Sequence, residues 1–549
     1  MRLVPSWIPL QGRDLDYSFR QKWFLRFKNE SSRSNAAIGS LPSPMANAPL
    51  ALVIGSGFGG IASAIRLRAK GYRVKLVDRC QRLGGRAQVF HRGGFQHDAG
   101  PTVITAPFLF DELFSLFGEH RQDYVDFIPL EPWYRFHFSN GRIFDYGGTV
   151  EDTESQIRKI SPADVAGYRS LLEESRKRFE IGFTQLADQP FHSLTNMMRQ
   201  IPNLARLRAD KSVYDLVSHH IQHDDLRQAL SMQPLLVGGN PFQTSSIYNL
   251  IHYLERKWGV FFAKGGTGAL VDALEQLMLK AGIEIETNCT VDHLKIKDRV
   301  ATGAVLESGK SLDADIVVSN VDPNFLFRHM VPEEEQRTSL KIKRRVTELS
   351  MGLFVLFFGS TRKFPDVAHH TIWLGPRYKA LLEDIFKNKT LAEDFSLYIH
   401  RPTATDPTFA PEGMDSFYVL APVPNLTANI DWSLEAPRLK SRILAALDRT
   451  LLPGITESAV EAFWMTPEDF SKDYLSEAGA GFSSSPTLQQ SAWFRFHNQA
   501  EGIRNLFITG AGTHPGAGLP GVLCSAKVIE KLIPTFQPVS YTHLRAHET

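Results

Sequence analysis

The chain has 549 residues and a formal net charge of +2, with 43% hydrophobic and 22% charged residues. That length is too great for one simple core and calls for two or three packed domains. The near-balanced charge argues against nucleic acid, which needs a concentrated basic face. Cys80, Cys289 and Cys524 lie too far apart for metal spacing or a disulfide framework, and fit a reducing compartment. No apolar run reaches the roughly 18 residues that span a bilayer. The longest, 351–359 (MGLFVLFFG), has strand length, so any membrane contact is expected to be peripheral. The 37 Phe against 14 Tyr and 8 Trp read either as a Phe-rich core or as an apolar substrate channel.

Taken in chain order, residues 1–48 read as an extension outside the fold. Met45 is the expected natural start, and Arg13, Asp14 and Asp16 interrupt any signal-peptide core. Strand and helix signals then alternate, with a strand at 52–54, a helix at 59–70 and a strand at 74–77. A mostly helical stretch covers 160–230. A helix at 268–281 precedes strand candidates at 283–287, 300–307 and 316–319. Runs at 350–359 and 415–421 read as strands of another sheet, and a late strand at 505–509 leads to a helix at 523–532. No internal repeat stands out. The chain thus leaves its first domain and returns to it at the end. The stretch 538–549 (PVSYTHLRAHET) has no periodicity, so 534–549 is expected to be a tail left by cloning or sequence assembly.

Residues 51–60 read ALVIGSGFGG, an apolar strand running into Gly55-x-Gly57-x-x-Gly60 and then a helix. Gly55 permits the tight turn, Gly57 lets a pyrophosphate approach the backbone, and Gly60 lets the helix pack on the strand. Free N–H groups at the helix start then face the phosphates, and the helix dipole adds roughly 0.3–1 kcal/mol per charge. Asp78 ends the second strand, 18 residues after Gly60, where an acid takes the ribose hydroxyls. Strand, helix, strand and acid in register mark a dinucleotide site.

Leu83-Gly84-Gly85-Arg86 follows soon after. The motif resembles the second glycine signature of the amine oxidase and carotenoid desaturase superfamily, which favours FAD over NAD. Two longer blocks, 235–268 (LLVGGNPFQTSSIYNLIHYLERKWGVFFAKGGTG) and 505–522 (NLFITGAGTHPGAGLPGV), together with Asp98-Ala99-Gly100-Pro101-Thr102, resemble the bacterial and fungal type of phytoene desaturase. The resemblance covers about 49–532. It implies a discontinuous FAD domain of α/β, Rossmann type (49–134, 254–349 and 496–533). An inserted α+β substrate region would comprise a helical, membrane-associating part (135–253) and a mixed sheet (350–495).

The resemblance further implies that FAD removes hydrogens from 15-cis-phytoene, a C40 hydrocarbon, extending it to lycopene or stopping at an intermediate such as neurosporene. Electrons would pass to a quinone or oxygen, and the protein would sit peripherally on the cytoplasmic side of a membrane. Gly55, Gly57, Phe58, Gly59 and Gly60 match the family's pyrophosphate loop, and Asp78 its ribose acid, usually Glu in relatives. Gly84, Gly85 and Arg86 match the second glycine motif, and Val291 the position whose backbone meets the adenine. Gly512, Pro520, Gly521 and Val522 match the late loop near the flavin ring and ribityl chain. The rival readings are a sister carotenoid enzyme (a C30 desaturase, an isomerase or a ketolase), a soluble amine oxidase and a non-catalytic redox sensor. The late loop, Gly510-Ala511-Gly512, lacks the acid that amine oxidases often place there.

The residues themselves support a hydrocarbon substrate in part. No metal cluster and no nucleophile–base pair stands out, so the flavin is expected to carry the hard step while the protein supplies alignment and dryness. His514 in the late loop is a candidate neighbour of the flavin ring. Arg199 is a possible polar group on a tunnel wall, and Asn196 beside it cannot act as a carboxylate base. The proton acceptor stays open between a base and water. At about 0.8 kcal/mol per buried CH₂, a C40 chain taken from water would gain on the order of 30 kcal/mol, beyond the practical affinity ceiling of roughly 18–21 kcal/mol. The substrate must therefore come from a bilayer. Residues 194–211 (LTNMMRQIPNLARLRADK) mix apolar residues with Arg199, Arg206, Arg208 and Lys211. They read either as a docking surface or as a solvated helix pair broken at Pro202.

Overall fold

A computed structural model describes residues 47–536. The expected natural start at Met45 and the residues from 537 on lie outside the described residues. Residues 534–536, assigned above to the tail, belong to the fold. Tyr72 donates its hydroxyl to the Pro534 carbonyl at 3.0 Å, and the Phe536 N–H reaches the Lys70 carbonyl at 3.0 Å.

The dinucleotide half is built on five parallel strands in the order Leu506–Ile508, Ile316–Ser319, Leu50–Ile54, Arg73–Val77, Glu284–Glu286. Sequence-distant strands thus share one sheet, and the last strand of the chain pairs next to Ile316–Ser319. The alternation along Leu50–Ile54 explains its central place. Ala51 and Val53 face the helices Phe58–Ala69, Gly266–Lys280 and Leu519–Leu532. Leu52 and Ile54 face the antiparallel sheet Val291–Lys297, Val300–Leu306, Ser311–Asp313. A parallel strand covered on both sides must be apolar throughout, as LALVI is.

The second half is a mixed seven-stranded sheet, in the order Ala459–Met465, Gly352–Ser360, Asp415–Val423, Leu397–His400, His370–Leu374, Tyr134–Phe138, Ile143–Tyr146. Its parallel pair joins His370–Leu374 to Tyr134–Phe138. The expected boundary at 134/135 therefore cuts through a strand of this sheet. Residues 135–146 belong to the sheet and not to the helical region, because Tyr134, Phe136 and Phe138 alternate into its core. Every residue of Gly352–Ser360 is buried. Phe354, Leu356 and Phe358 pack on the helix Trp432–Arg449 through Leu439, Ile443 and Leu447, while Leu353, Val355 and Phe357 face the core toward the dinucleotide half. Helices Val150–Ile160, Asp164–Phe179 and Val213–His220 share that core through Ile157, Tyr168, Leu171 and Val213. Residues 194–206 form one helix that runs through Pro202, so the alternative of a helix pair broken there does not hold.

Leu356→Ala removes a fully buried side chain from the face turned away from the dinucleotide half. It should destabilise by about 2–5 kcal/mol, read as a lower urea midpoint, with unchanged flavin content in the protein that folds.

Candidate active site

The strand Leu50–Ile54 turns at Gly55, whose φ of 92° lies in the left-handed region and favours glycine. The helix Phe58–Ala69 then starts with no side-chain cap and no acid in its first turn. Its free N–H groups keep their partial positive charge for a bound anion. A Cβ at Gly60 would lie 1.9 Å from the Gly55 carbonyl oxygen, and one at Gly57 would lie 2.5 Å from Asn320 Oδ1. Close helix–strand packing at 60 thus requires glycine, while a Cβ at 57 would press on the Asn320 amide.

One cavity of about 580 Å³ begins at this turn and follows the carboxyl ends of the parallel strands. Gly55, Gly57, Phe58, Asp78, Gly84, Gly85, Arg86, Val291, Gly512, Pro520, Gly521 and Val522 all line it. Gly59 and Gly60 do not. Gly59 packs toward Asn320 and Thr509, and Gly60 on Gly55, so they hold the helix against the sheet rather than face a ligand. Pro520, Gly521 and Val522 form the first turn of the helix Leu519–Leu532 rather than a loop. Pro520 suits that position because its missing N–H has no helical acceptor there. A second uncapped helix start, preceded by Gly518, therefore faces the cavity.

Asp78 is held in place. Its Oδ2 accepts from the Ser56 N–H and hydroxyl, both at 2.6 Å, and Oδ1 accepts from the Cys80 N–H at 2.7 Å. Arg86 donates to Ser476 Oγ at 2.7 Å. The block at 98–102 is tied to the glycines at 265–268. Asp98 Oδ2 accepts from the Thr267 N–H at 2.9 Å, and Thr267 Oγ1 donates to the Pro101 carbonyl at 3.0 Å. Burial pushes the Asp98 carboxyl up to about 7 against the pull of those donors. An elongated cleft with two uncapped helix starts, a clash-limited glycine turn and a fixed acid at the second strand's end fits a dinucleotide.

Residues outside the glycine motifs support this wall. Asn320 donates to the Thr509 carbonyl at 3.1 Å and bridges strand ends. Arg495 donates to the Ala511 carbonyl at 2.8 Å and fixes the late glycine loop. His514 donates through Nε2 to the Leu186 carbonyl at 2.9 Å and lies 4.6 Å, ring to ring, from Phe191. Its Nδ1 is buried without a partner, and burial lowers its pKa to about 4. Arg199 is exposed and absent from the cavity wall. Its helix neighbours Met197 and Leu204 are on the wall instead.

Beyond the late loop the same cavity is walled by Met232, Leu235, Leu236, Met351, Leu353, Ile372, Leu374, Leu397 and Leu420. One polar strip interrupts this apolar arm. Thr102 Oγ1 and the Tyr398 hydroxyl lie 2.6 Å apart, Tyr398 reaches His370 Nδ1 at 2.8 Å, and the Tyr134 hydroxyl donates to Glu255 Oε1 at 2.9 Å. His370 also clusters with His369 and His400, all buried. Sequence spacing hides this group because its members come from two neighbouring strands.

The cleft and its glycine geometry define a dinucleotide-binding protein with an attached apolar pocket. The family model for flavin containing amine oxidoreductase matches residues 58–528. A lycopene-forming phytoene desaturase of Pantoea ananas is 46% identical over 482 residues, covering 88% of this chain and 98% of the relative. A neurosporene-forming phytoene desaturase of Rhodobacter capsulatus is 42% identical over 490 residues, covering 88% and 94%. Among solved structures, a putrescine oxidase bound to putrescine superposes with a TM-score of 0.61 at 14% identity, covering 88% of this chain and 98% of that one. That likeness concerns the fold alone. The chain belongs to the flavin containing amine oxidoreductases and, among them, to the phytoene desaturase family.

Asp78→Ala removes three hydrogen bonds and the strand-end acid. At about 1.5–3 kcal/mol for a bond to a charged group, flavin affinity should fall on the order of 10–100-fold, measured by titrating flavin into the stripped protein.

Proposed function

We propose that this chain is an FAD-dependent phytoene desaturase, converting 15-cis-phytoene stepwise to lycopene or to an intermediate such as neurosporene. The observation that carries the reading is the single cavity that joins a dinucleotide cleft to a long apolar arm. FAD, when bound, supplies a two-electron acceptor for an allylic hydride. Gly55, Gly57, Phe58 and the start of the helix Leu519–Leu532 would hold its phosphates and ring, with Asp78 at the ribose and Val291 at the adenine. The apolar arm orients the polyene and excludes water. A quinone or oxygen would take the electrons onward. A soluble amine oxidase is disfavoured. Of the carboxylates on the wall among the described residues, Asp78, Asp322 and Asp473 sit beside the dinucleotide cleft, which leaves Glu255 alone in the apolar arm.

The same reading places the protein peripherally on the cytoplasmic side of a membrane. No helix among the described residues is long and apolar enough to cross one. The helix Leu194–Arg206 turns Met197 and Leu204 to the cavity and leaves Leu194, Met198 and Ile201 outward at 53%, 58% and 48% exposure. It packs on the turn Ala492–Phe494, where Phe494 is 44% exposed. An apolar outer face on a cavity wall, flanked by exposed Arg199, Arg206 and Lys211, suits an anionic lipid surface and gives a lipid-borne substrate a short way in.

Expression in a phytoene-accumulating host should yield coloured carotenoids by chromatography, and a host accumulating the C30 analogue should yield far less. Colourless cells with flavin-replete protein would sink the reading. Met198→Glu with Ile201→Glu should weaken flotation on anionic vesicles by at least about 100-fold, at roughly 1.5–3 kcal/mol per apolar side chain lost from the lipid, with flavin content unchanged.

A further inference from the structure

His369 immediately precedes the strand His370–Leu374, and His400 ends the neighbouring strand Leu397–His400. The antiparallel register sets His370 opposite His400. The three rings stand 4.6, 4.8 and 5.5 Å apart, centre to centre. One ring nitrogen from each lies within 4.8 Å of the others. All three side chains are buried, with His370 and His400 at 0% exposure. His369 and His370 each tie Nδ1 to a hydroxyl, Thr405 Oγ1 at 2.7 Å and Tyr398 at 2.8 Å. His369 Nε2 then meets His400 Nε2 at 3.1 Å, while His370 Nε2 and His400 Nδ1 have no partner. Buried ring nitrogens are normally satisfied. A hydrogen-bonded pair accounts for His369 and His400, but not for the third ring beside them with a bare Nε2.

We propose that His369, His370 and His400 form a binding site for a transition-metal ion of the zinc type, separate from the dinucleotide cleft. The donor set decides the class of ion. Three imidazoles with no carboxylate or thiol among them suit zinc or copper and not the hard ions magnesium and calcium. Nitrogens bound tetrahedrally at about 2.0–2.1 Å stand roughly 3.3–3.4 Å from one another. The 3.1 Å between His369 and His400 is close to that edge, and a small ring movement brings the third nitrogen to it. Metal-bound histidines characteristically hydrogen-bond through their other ring nitrogen, as His369 does to Thr405 and His370 to Tyr398. Burial also keeps the rings in the neutral form that ligates. It lowers the His370 pKa to about 3 and holds His369 and His400 well below their usual range.

The site lies against aromatic rings. Phe262 is 4.7 Å from His369, Tyr134 is 6.0 Å from His370 and Tyr418 is 6.2 Å from His400, ring to ring. Three neutral ligands leave the fourth position to a water, and a hydroxide there halves the buried charge of a divalent ion. The ion pins two strands of the seven-stranded sheet beside Tyr398, which lines the cavity. It also sets the direction of a hydrogen-bond chain. With an ion on Nε2, His370 carries its proton on Nδ1 and donates it to the Tyr398 oxygen, and Tyr398 then donates to Thr102 Oγ1. Zinc has no redox chemistry, so the role is structural.

The test uses the full chain with its flavin, treated with a chelator and then titrated with Zn²⁺ and, separately, Co²⁺. Elemental analysis should find one ion per chain, and the melting midpoint should rise with Zn²⁺ and fall back with chelator. The cobalt form should show tetrahedral ligand-field bands at wavelengths beyond the flavin absorption. X-ray absorption of the zinc form should show imidazole nitrogens at about 2.0–2.1 Å. An outer-shell partner alone is worth about 10–100-fold in affinity. His369→Gln and His400→Asn, each removing a ligand, should therefore weaken Zn²⁺ binding by more than about 100-fold. His219→Ala, at an exposed histidine, should leave it unchanged. If the two buried variants do not accumulate, the cobalt bands and the X-ray absorption of wild type decide. Absence of stoichiometric uptake overturns the proposal. So does uptake without imidazole coordination, or uptake that survives loss of His369 or His400. None of these readouts depends on desaturation, so the proposal stands or falls apart from the functional reading.

Discussion

The close seating of the helix Phe58–Ala69 on the strand Leu50–Ile54 is the contact on which the rest depends. It is possible because Gly60 brings only a hydrogen against the Gly55 carbonyl. That seating fixes where the helix begins and aims its uncapped N–H groups along the carboxyl ends of the parallel strands. Neighbouring pieces then assemble around the same point. Asn320, just past the strand Ile316–Ser319, and the Thr509 carbonyl, just past Leu506–Ile508, meet there, and Gly85 approaches Gly57. Three stretches far apart in sequence share one turn, which is why the fold closes only when the chain returns at its end.

A second constraint is the two-sided burial of Gly352–Ser360. One face must fill against the helix Trp432–Arg449 and the other against the core that borders the cavity. Phenylalanines on both faces explain part of the high Phe content, so the core and channel readings of that composition are complementary. The strand's cavity-side residue Leu353 is also cavity wall. A side chain there contributes to stability and to the shape of the apolar arm together.

The dinucleotide half was largely legible in the sequence because its signals are local. A glycine turn, an apolar strand and an acid at fixed spacing specify geometry within about thirty residues. Gly55, Gly57 and Asp78 were found this way, Arg86, Gly512 and Gly521 through the family resemblance, and all reach the cavity. The boundary at 134 was misplaced because Tyr134–Phe138 pairs in parallel with His370–Leu374, more than 230 residues on, and no local pattern announces such a partner. Pro520 was placed in the late loop by the family resemblance, whereas the structure puts it in a helix's first turn, entered from Gly518, a position that suits proline. Asn320, Glu255 and Tyr398 were invisible for another reason. Each is an ordinary residue in an ordinary element, and only packing brings it to the cavity.

The polar strip in the apolar arm follows from the same logic of partners drawn from distant elements. Thr102 comes from the loop after the second glycine motif, Tyr134 and Tyr398 from the sheet, and Glu255 from a helix. Polar groups buried among Leu, Met and Ile persist only where they satisfy one another. The hydroxyls do so, and the Glu255 carboxyl does so between the Tyr134 hydroxyl and the Gln233 side chain. The strip therefore ties the sheet to the helix Leu250–Trp258 across the apolar arm. A hydrocarbon offers neither donor nor acceptor to compete with these bonds, so it can fill the arm without breaking them.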